Sequence, residues 1–237
     1  MRVSRSILWL ALLAATPVLA QQDLSKISGD VHAATGQKYG ALATVSGDIQ
    51  VDAGVEAKSV NSVSGDVTVE AGARIDEGTT VSGDLKIGEN SKTGDLTTVS
   101  GNLTVGRNAV IDGSVTSVSG SIFVDRGGKI DGDVTSVSGG IGLVQTEVKG
   151  DITFVSSDVT VGVGSHVKGR LQLKKPKGVF TSKRSQLPRV VIGPNAVIDG
   201  PLAFELPVKL YVHSTAKTGA ITGATAVSFD TPAAPKN

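Results

Sequence analysis

The stretch that decides the fold is VSGDVTVEAGARIDEGTT, residues 63–80, followed at once by VSGDLKIGENSKTGDLTT, residues 81–98. The tetrapeptide Val-Ser-Gly-Asp, or a close variant, recurs at intervals of 18 or 19 residues along most of the chain. It begins at Ile27, Val45, Val63, Val81, Val99, Val118, Val137 and Val155. A fixed period of this length is typical of stacked identical units rather than of one globule with a single core.

A finer period of six residues divides each unit into three parts. Three parts predict a triangular coil with three short strands, each of which pairs with its equivalent one coil further on. Glycine and aspartate, as in Gly65-Asp66, stand where the chain must bend. The first inward column is predicted to contain Val63, Val69, Ile75 and Val81, and the second Val67, Ala73, Thr79 and Leu85. The sequence therefore predicts an all-β fold, a single-chain parallel β-helix (β-solenoid) of roughly ten triangular coils of about 18 residues each.

Composition supports narrow coils and excludes several kinds of site. The 237 residues include 30 glycines, and only 3% are aromatic, which suits a thin interior that admits small and β-branched side chains. No cysteine is present, so disulfides and thiolate ligands are excluded. The formal net charge is only +1, so no overall charge attracts nucleic acid. We expect no cofactor.

Residues 1–20 have the features of a secretory signal peptide. Arg2 and Arg5 precede an apolar run from Ile7 to Val18, and Val18-Leu19-Ala20 offers a cleavage site. The run is too short for an ordinary membrane span. We therefore expect cleavage after Ala20 and a periplasmic or secreted protein without a transmembrane segment.

The remaining chain divides by the regularity of its repeat. We predict irregular first coils or a cap at 21–44, the regular solenoid at 45–173, and a basic insertion loop at 174–189. The final coils and a C-terminal cap follow at 190–230. The Pro/Ala-rich residues 231–237 are predicted to be a disordered tail.

Two runs carry a family resemblance, AVIDGSV at residues 109–115 and KIDGDV at residues 129–134. With these runs the chain resembles the bactofilins, bacterial polymer-forming proteins built from triangular β-helical coils, and this resemblance implies polymer formation. Bactofilins are typically cytosolic, whereas this chain carries an export signal, so their cytoskeletal role does not carry over.

The six-residue period is also similar to that of the hexapeptide-repeat acyltransferases, which use a catalytic histidine beside long loops. The histidines here, His32, His166 and His213, lie outside any such arrangement. His166 falls on an outward position, where a solvated side chain is expected. A general base must be paired and oriented, and we predict no catalytic residue.

Corner carboxylates align in successive coils as Asp48, Asp66 and Asp84. Hard cations such as Ca²⁺ favour oxygen ligands of this kind, so these residues are weak candidates for a metal site. The alternative is that each aspartate caps backbone amides at its corner.

Hydroxyl residues flank the valine of the repeat in six successive coils, from Thr44/Ser46 to Ser136/Ser138. If the valine points inward, both neighbours point outward and form a flat hydroxyl lattice. Such a lattice resembles those of β-solenoid antifreeze proteins. The alternative is a solvated face with hydroxyl ladders between strands.

The interruption at 174–189 contains six basic residues and no acidic one. They are Lys174, Lys175, Lys177, Lys183, Arg184 and Arg189. Insertions in solenoids often contact partners, so this loop is predicted to bind phosphate, lipopolysaccharide or an acidic glycan. The alternative is a solvated loop.

The sequence favours a non-enzymatic, exported structural scaffold of the bacterial cell envelope. Because a solenoid ends in unpaired strands, it can add further copies of itself end to end. One alternative is an adhesin-like or anionic glycan- or lipid-binding module that uses the basic insertion. A second is a β-helical carbohydrate-active enzyme or acyltransferase relative.

Overall fold

The computed structural model describes residues 21–176 and 187–235, which form a parallel β-solenoid of about 11 turns without a helix. The fold class predicted from the repeat is therefore confirmed. The predicted signal peptide, residues 1–20, lies outside the described residues, as do Lys177, Lys183 and Arg184. In the part of the chain that is described, no helix is long and apolar enough to cross a membrane.

Each coil has three sides, and the first side follows the Val-Ser-Gly-Asp corner. Its strands are β2 (Val31–Ala33), β4 (Ile49–Val51), β6 (Val67–Val69), β8 (Leu85–Ile87), β10 (Leu103–Val105), β13 (Ile122–Val124), β20 (Arg189–Ile192), β23 (Lys209–His213) and β26 (Ala226–Phe229). Two longer strands, β15 (Val134–Leu143) and β17 (Ile152–Val161), reach this side from the third side.

The second and third sides of the early coils are joined in single strands. These are β1 (Gln22–Ser28), β3 (Lys38–Ser46), β5 (Glu56–Ser64), β7 (Arg74–Ser82) and β9 (Lys92–Ser100). Later coils divide them into β11 (Val110–Ile111), β14 (Lys129–Ile130), β16 (Glu147–Val148), β18 (His166–Val167), β21 (Val197–Ile198) and β24 (Lys217–Thr218) on the second side. The third side then consists of β12 (Val115–Ser119), the start of β15 and β17, β19 (Leu171–Leu173), β22 (Leu202–Phe204) and β25 (Ile221–Thr222).

The core is a stack of identical layers along the solenoid axis. On the first side Val67 and Val69 point inward and are buried, as Ala73 and Ile75 are on the second side. Each inward residue pairs in register with its equivalent in the next coil, as Val67 does with Leu85. Burial of one apolar column per position is the main source of stability for such a fold.

The predicted inward columns are wrong on the third side by one position. There Gly78 and Thr80 point inward, whereas Val81 is 39% exposed and Thr79 half-buried. The three corners contain three, two and four residues, namely 70–72, 76–77 and 81–84. A uniform six-residue period assumes three corners of three residues each, and it therefore predicted that the valine of the tetrapeptide points inward. In the structure this valine begins the four-residue corner and is exposed.

The basic insertion replaces this same corner in one coil. Leu173 continues the third side, and Val190 pairs with Val159 on the first side. Since the first-side strand begins at Arg189, this residue belongs to the coil and not to the loop.

The segment 21–44, which was expected to be irregular, contains β1, β2 and most of β3. Apart from a register shift between Gln22 and Leu24, β1 pairs regularly with β3. The first coil follows the same geometry as the others, because its inward residues Val31 and Ala33 are apolar and buried.

At the other end of the chain, the carbonyl oxygen of Pro235 accepts a hydrogen bond from the Arg189 guanidinium at 3.0 Å.

Candidate functional site

The tetrapeptide corner requires glycine for two separate reasons. Gly83 has a φ of +142°, which side chains of L-residues rarely adopt. A Cβ atom at Gly83 would also overlap the carbonyl oxygen of Gly65 in the preceding coil. The corners stack this closely because the Gly83 N–H donates to the Ser100 carbonyl of the following coil at 3.0 Å.

The corner aspartates form a ladder of hydrogen bonds along the solenoid. The Asp48 carboxylate accepts the Asp66 N–H, and the Asp66 carboxylate accepts the Asp84 N–H, each at 2.8 Å. Asn102 continues the ladder with its side-chain oxygen, which accepts the Ser121 N–H at 3.0 Å. The predicted role of aspartate as a cap of corner amides is therefore confirmed. The described residues contain no group of three or more potential ligands that could hold a metal ion.

The predicted hydroxyl lattice is wrong, because the first hydroxyl of each pair points inward. Ser62 is only 2% exposed, and its hydroxyl donates to the Gly65 carbonyl at 3.2 Å. Thr80 makes the equivalent bond to Gly83 at 3.1 Å. Other members of this buried column are Thr44, Thr98, Ser117 and Ser136. Ser62, Thr80 and Ser117 each hold their own corner from inside through this bond.

The outward side chains of the third side instead form an extended, mainly apolar surface, which we call the valine face. Its outer column contains Val45, Val63, Val81, Val99, Val118, Val137 and Val155, with Ile27 before them. Its inner column contains the half-buried Thr79, Thr97, Thr116, Thr135 and Thr153. Val63 is 46% exposed. The sequence already contained the signal, a β-branched residue repeated in every coil, but a uniform six-residue period assigned it to the core.

The second side carries charge instead of apolar residues. Glu147 forms an ion pair with Lys168 at 2.6 Å, and Lys149 forms one with Asp131 at 2.8 Å. The hydrogen bond from Lys168 lowers the pKa of Glu147, and the hydrogen bond to Asp131 raises the pKa of Lys149. The ion pairs join successive coils, so they support the stack without forming a pocket.

The described basic residues of the predicted binding loop are in two different environments. Lys174 and Lys175 are exposed and follow Leu173 as Val155 and Ser156 follow Phe154 in the preceding coil, so Lys174 continues the valine column. The guanidinium carbon of Arg189 lies 5.2 Å from the ring centroid of Tyr211, and its Nε atom is buried without a hydrogen-bond partner. Lys174 and Lys175 are therefore available to an external anion, whereas Arg189 is engaged within the protein.

The three histidines lie far apart along the stack, and each has a local partner. His32 Nε2 contacts Asp52 at 2.9 Å, and His166 Nε2 contacts Asp199 at 2.7 Å. His213 is buried; its Nδ1 lies 2.9 Å from the Thr215 hydroxyl, and its ring packs edge-on against Phe229. The three histidines therefore take part in three separate local contacts and not in one shared site.

The fold and its surfaces define a parallel β-helix repeat protein with one apolar face and one charged face. No family model, curated protein or solved structure matches this chain.

Proposed function

We propose that this protein is an exported structural scaffold of the bacterial envelope, assembled end to end from solenoid rods. The observation that carries the proposal is the state of the two terminal strands. Among the described strands β1 pairs only with β3, and β26 pairs only with β23. Each end therefore presents a parallel strand edge, which is a template for another chain.

Backbone hydrogen bonds within the stack have a consistent direction. Inward residues donate to the following coil, as the Leu96 N–H does to the Ser114 carbonyl at 2.9 Å. Outward residues alternate with them and donate to the preceding coil, as Lys92 does to Ala73 at 2.9 Å. In β1 the outward position equivalent to Ala43 is Ser25. Its N–H consequently points away from β3, towards the position that the last coil of a second copy would occupy.

A head-to-tail contact of this kind uses two different surfaces, so it repeats without closing. The rod of about 11 turns is on the order of 50 Å long at about 4.8 Å per coil, and each added copy extends it by that length. The resemblance to polymer-forming bactofilins supports this assembly mode, and the predicted signal peptide supports a location in the envelope.

The test uses the mature chain, residues 21–237, with Ser25→Pro and Ser25→Ala variants. Proline removes the outward N–H and blocks strand addition, whereas alanine keeps it. We expect filaments by negative-stain electron microscopy for the mature chain and for Ser25→Ala, and single rods for Ser25→Pro. Single rods in all three proteins at high concentration would refute end-to-end assembly, as would filaments unaffected by Ser25→Pro.

A second candidate function is a binding module for anionic glycan or lipid, which is favoured by the exposure of Lys174 and Lys175. Replacement of both by glutamine should then abolish binding to lipopolysaccharide or anionic vesicles at moderate salt. The control is a Lys86→Gln/Lys92→Gln variant, which removes equal charge from other sides. Equal binding by both variants, or no binding by the mature chain, would exclude this function.

A further inference from the structure

The valine face differs from the other outward surfaces of the solenoid. Its exposed valines repeat in register from coil to coil, and Val45, Val81 and Val137 are between 39% and 46% exposed. The second side at the same coils carries ion pairs such as Lys38–Glu56 and Lys92–Asp112. Large regular apolar patches on soluble proteins commonly mark interaction sites.

We propose that the valine face binds the valine face of a second copy of this chain, with the two coil stacks antiparallel. A second copy suits the face because both surfaces are mainly apolar and have the same repeat along the axis. This lateral contact is separate from the end-to-end contact proposed above, and it does not depend on that contact.

The size of the face fits a weak, specific dimer. From Ile27 to Val155 there are eight coils, so the column spans about 34 Å at about 4.8 Å per coil. The width between corners is about 16 Å, which gives on the order of 550 Å² of flat surface per copy. Two copies bury about 1,100 Å² in total, at the lower end of specific interfaces. We therefore expect a weak dimer that dissociates on dilution.

The charge along the corner edge of the face determines the orientation. We define this edge by the aspartate column of the tetrapeptide. It is acidic in the first four coils, uncharged in the next three, acidic at Asp158 and basic at Arg189 and Lys209. Its members in order are Asp30, Asp48, Asp66, Asp84, Asn102, Ser121, Gly140, Asp158, Arg189 and Lys209. Lys174 and Lys175 lie at the same corner, in the valine and serine columns.

Two flat faces related by a two-fold axis can meet in two ways. If the stacks run antiparallel, the corner edge of one copy lies along the corner edge of the other in reverse order. With Val81 opposite Val99 of the second copy, Asp48, Asp66 and Asp84 lie beside the uncharged Gly140, Ser121 and Asn102. Asp30 lies beside Asp158, and Lys174 and Lys175 of the second copy come one coil further along. Most of the acidic column therefore meets no charge of the same sign.

If the stacks run parallel, the corner edge of one copy lies along the opposite edge of the other. That opposite edge is acidic at Glu77, Asp95, Asp133 and Asp151, and Arg170 follows beside Asp151. Asp66 and Asp84 would then meet Glu77 and Asp95 as like charges, which is unfavourable. The charge pattern therefore selects the antiparallel pair, in which Val81 faces Val99 and Val45 faces Val137.

Sedimentation equilibrium tests whether the valines hold the dimer. The measurements use chains that also carry Ser25→Pro, so that end-to-end addition does not contribute and the two proposals fail separately. We expect Val81→Thr/Val99→Thr to raise the dimer dissociation constant roughly tenfold or more, because each change occurs twice in a two-fold dimer. Val163→Thr is the control, since Val163 is 45% exposed but lies off the face. If the Val81→Thr/Val99→Thr variant and the Val163→Thr control had the same dissociation constant, the proposal would be overturned.

Disulfide trapping tests the orientation, and the absence of native cysteine makes it clean. A Val45→Cys chain and a Val137→Cys chain are mixed and oxidised. The antiparallel pair predicts that the mixed cross-linked dimer forms in excess over both homodimers. Predominant Val45→Cys homodimers would contradict it.

A monomeric chain at about 1 mM would also overturn the proposal, because an interface of this size should be populated at that concentration. If that monomer binds phosphatidylglycerol vesicles, and Val81→Thr/Val99→Thr abolishes the binding, the face belongs to a membrane and not to a second copy. Inhibition of ice growth by the monomer, lost in the same variant, would likewise assign it to another occupant.

Discussion

The Asp66 carboxylate accepts the backbone N–H of Asp84, its equivalent in the next coil, at 2.8 Å. The same relationship recurs at the neighbouring corners. Each aspartate thus accepts a hydrogen bond from the next coil. The sequence alone could not distinguish this structural role from metal binding. The ladder continues through Asn102, which shows that the acceptor oxygen and not the charge is required.

Asp66 can therefore be replaced by asparagine but not by alanine. Asp66→Ala leaves the Asp84 N–H without its acceptor and should lower the free energy of unfolding by about 1 kcal/mol. Asp66→Asn keeps an acceptor oxygen and removes one charge from a row of aspartates, so its effect should lie within about 0.5 kcal/mol. Urea unfolding followed by circular dichroism measures both. An equal loss in the two variants would show that the charge, not the hydrogen bond, matters.

Gly83→Ala should be among the most damaging single substitutions in the chain. It combines a positive φ with overlap of the Gly65 carbonyl, and we expect a loss of about 3 kcal/mol or more. Gly72→Ala is the control, because Gly72 also has a positive φ but no neighbour within 4 Å of a Cβ atom. It should cost about 1 kcal/mol. Similar losses in both would mean that close stacking at the corner is not the cause.

Thr98→Val should stabilise the protein. The Thr98 hydroxyl is buried and has no hydrogen-bond partner, so its removal relieves a desolvation cost of about 1 kcal/mol or more. Thr80→Val at the equivalent position loses the bond to Gly83 and should not stabilise. Thermal unfolding of the pair provides the comparison. A fall in the unfolding temperature of Thr98→Val would contradict the prediction.

The Glu147–Lys168 pair predicts a modest acid sensitivity. Because the folded state lowers the pKa of Glu147, the pair contributes stability above the ordinary glutamate pKa, and this contribution is lost as the pH falls through the lowered value. The Glu147→Gln variant should therefore lose less of its thermal stability than the wild type between about pH 5 and pH 3. The difference should be no more than a few degrees, since the pair is exposed. If the unfolding temperatures of the wild type and of Glu147→Gln fell by the same amount between about pH 5 and pH 3, this role of Glu147 would be refuted.

Much of the fold was predictable from the sequence because the architecture is locally repeated. The 18-residue spacing of Val63 and Val81 sets the coil, and Gly65 marks the bend through its conformational freedom. The phase of the third side was not predictable from a uniform period, because the corners have unequal lengths. The corner before the third side, 76–77, is one residue shorter than a uniform period requires, which exchanges the inward and outward positions of the strand that follows.

The candidate surfaces depended on that phase. The valine face and the buried column of Ser62 and Thr80 exchanged places relative to the prediction. The environment of Arg189 was also not predictable, since its partners Tyr211 and Pro235 come from distant parts of the sequence. Lys174 and Lys175, in contrast, are exposed, as the basic character of the segment predicts.

The most direct test of the central claim is cryo-electron microscopy of the mature chain at rising concentration. End-to-end assembly predicts rods whose lengths are multiples of about 50 Å, with the coil spacing of about 4.8 Å continuing through each junction. Rods that remain on the order of 50 Å long at every concentration, or junctions at which the coil spacing is interrupted, would contradict it.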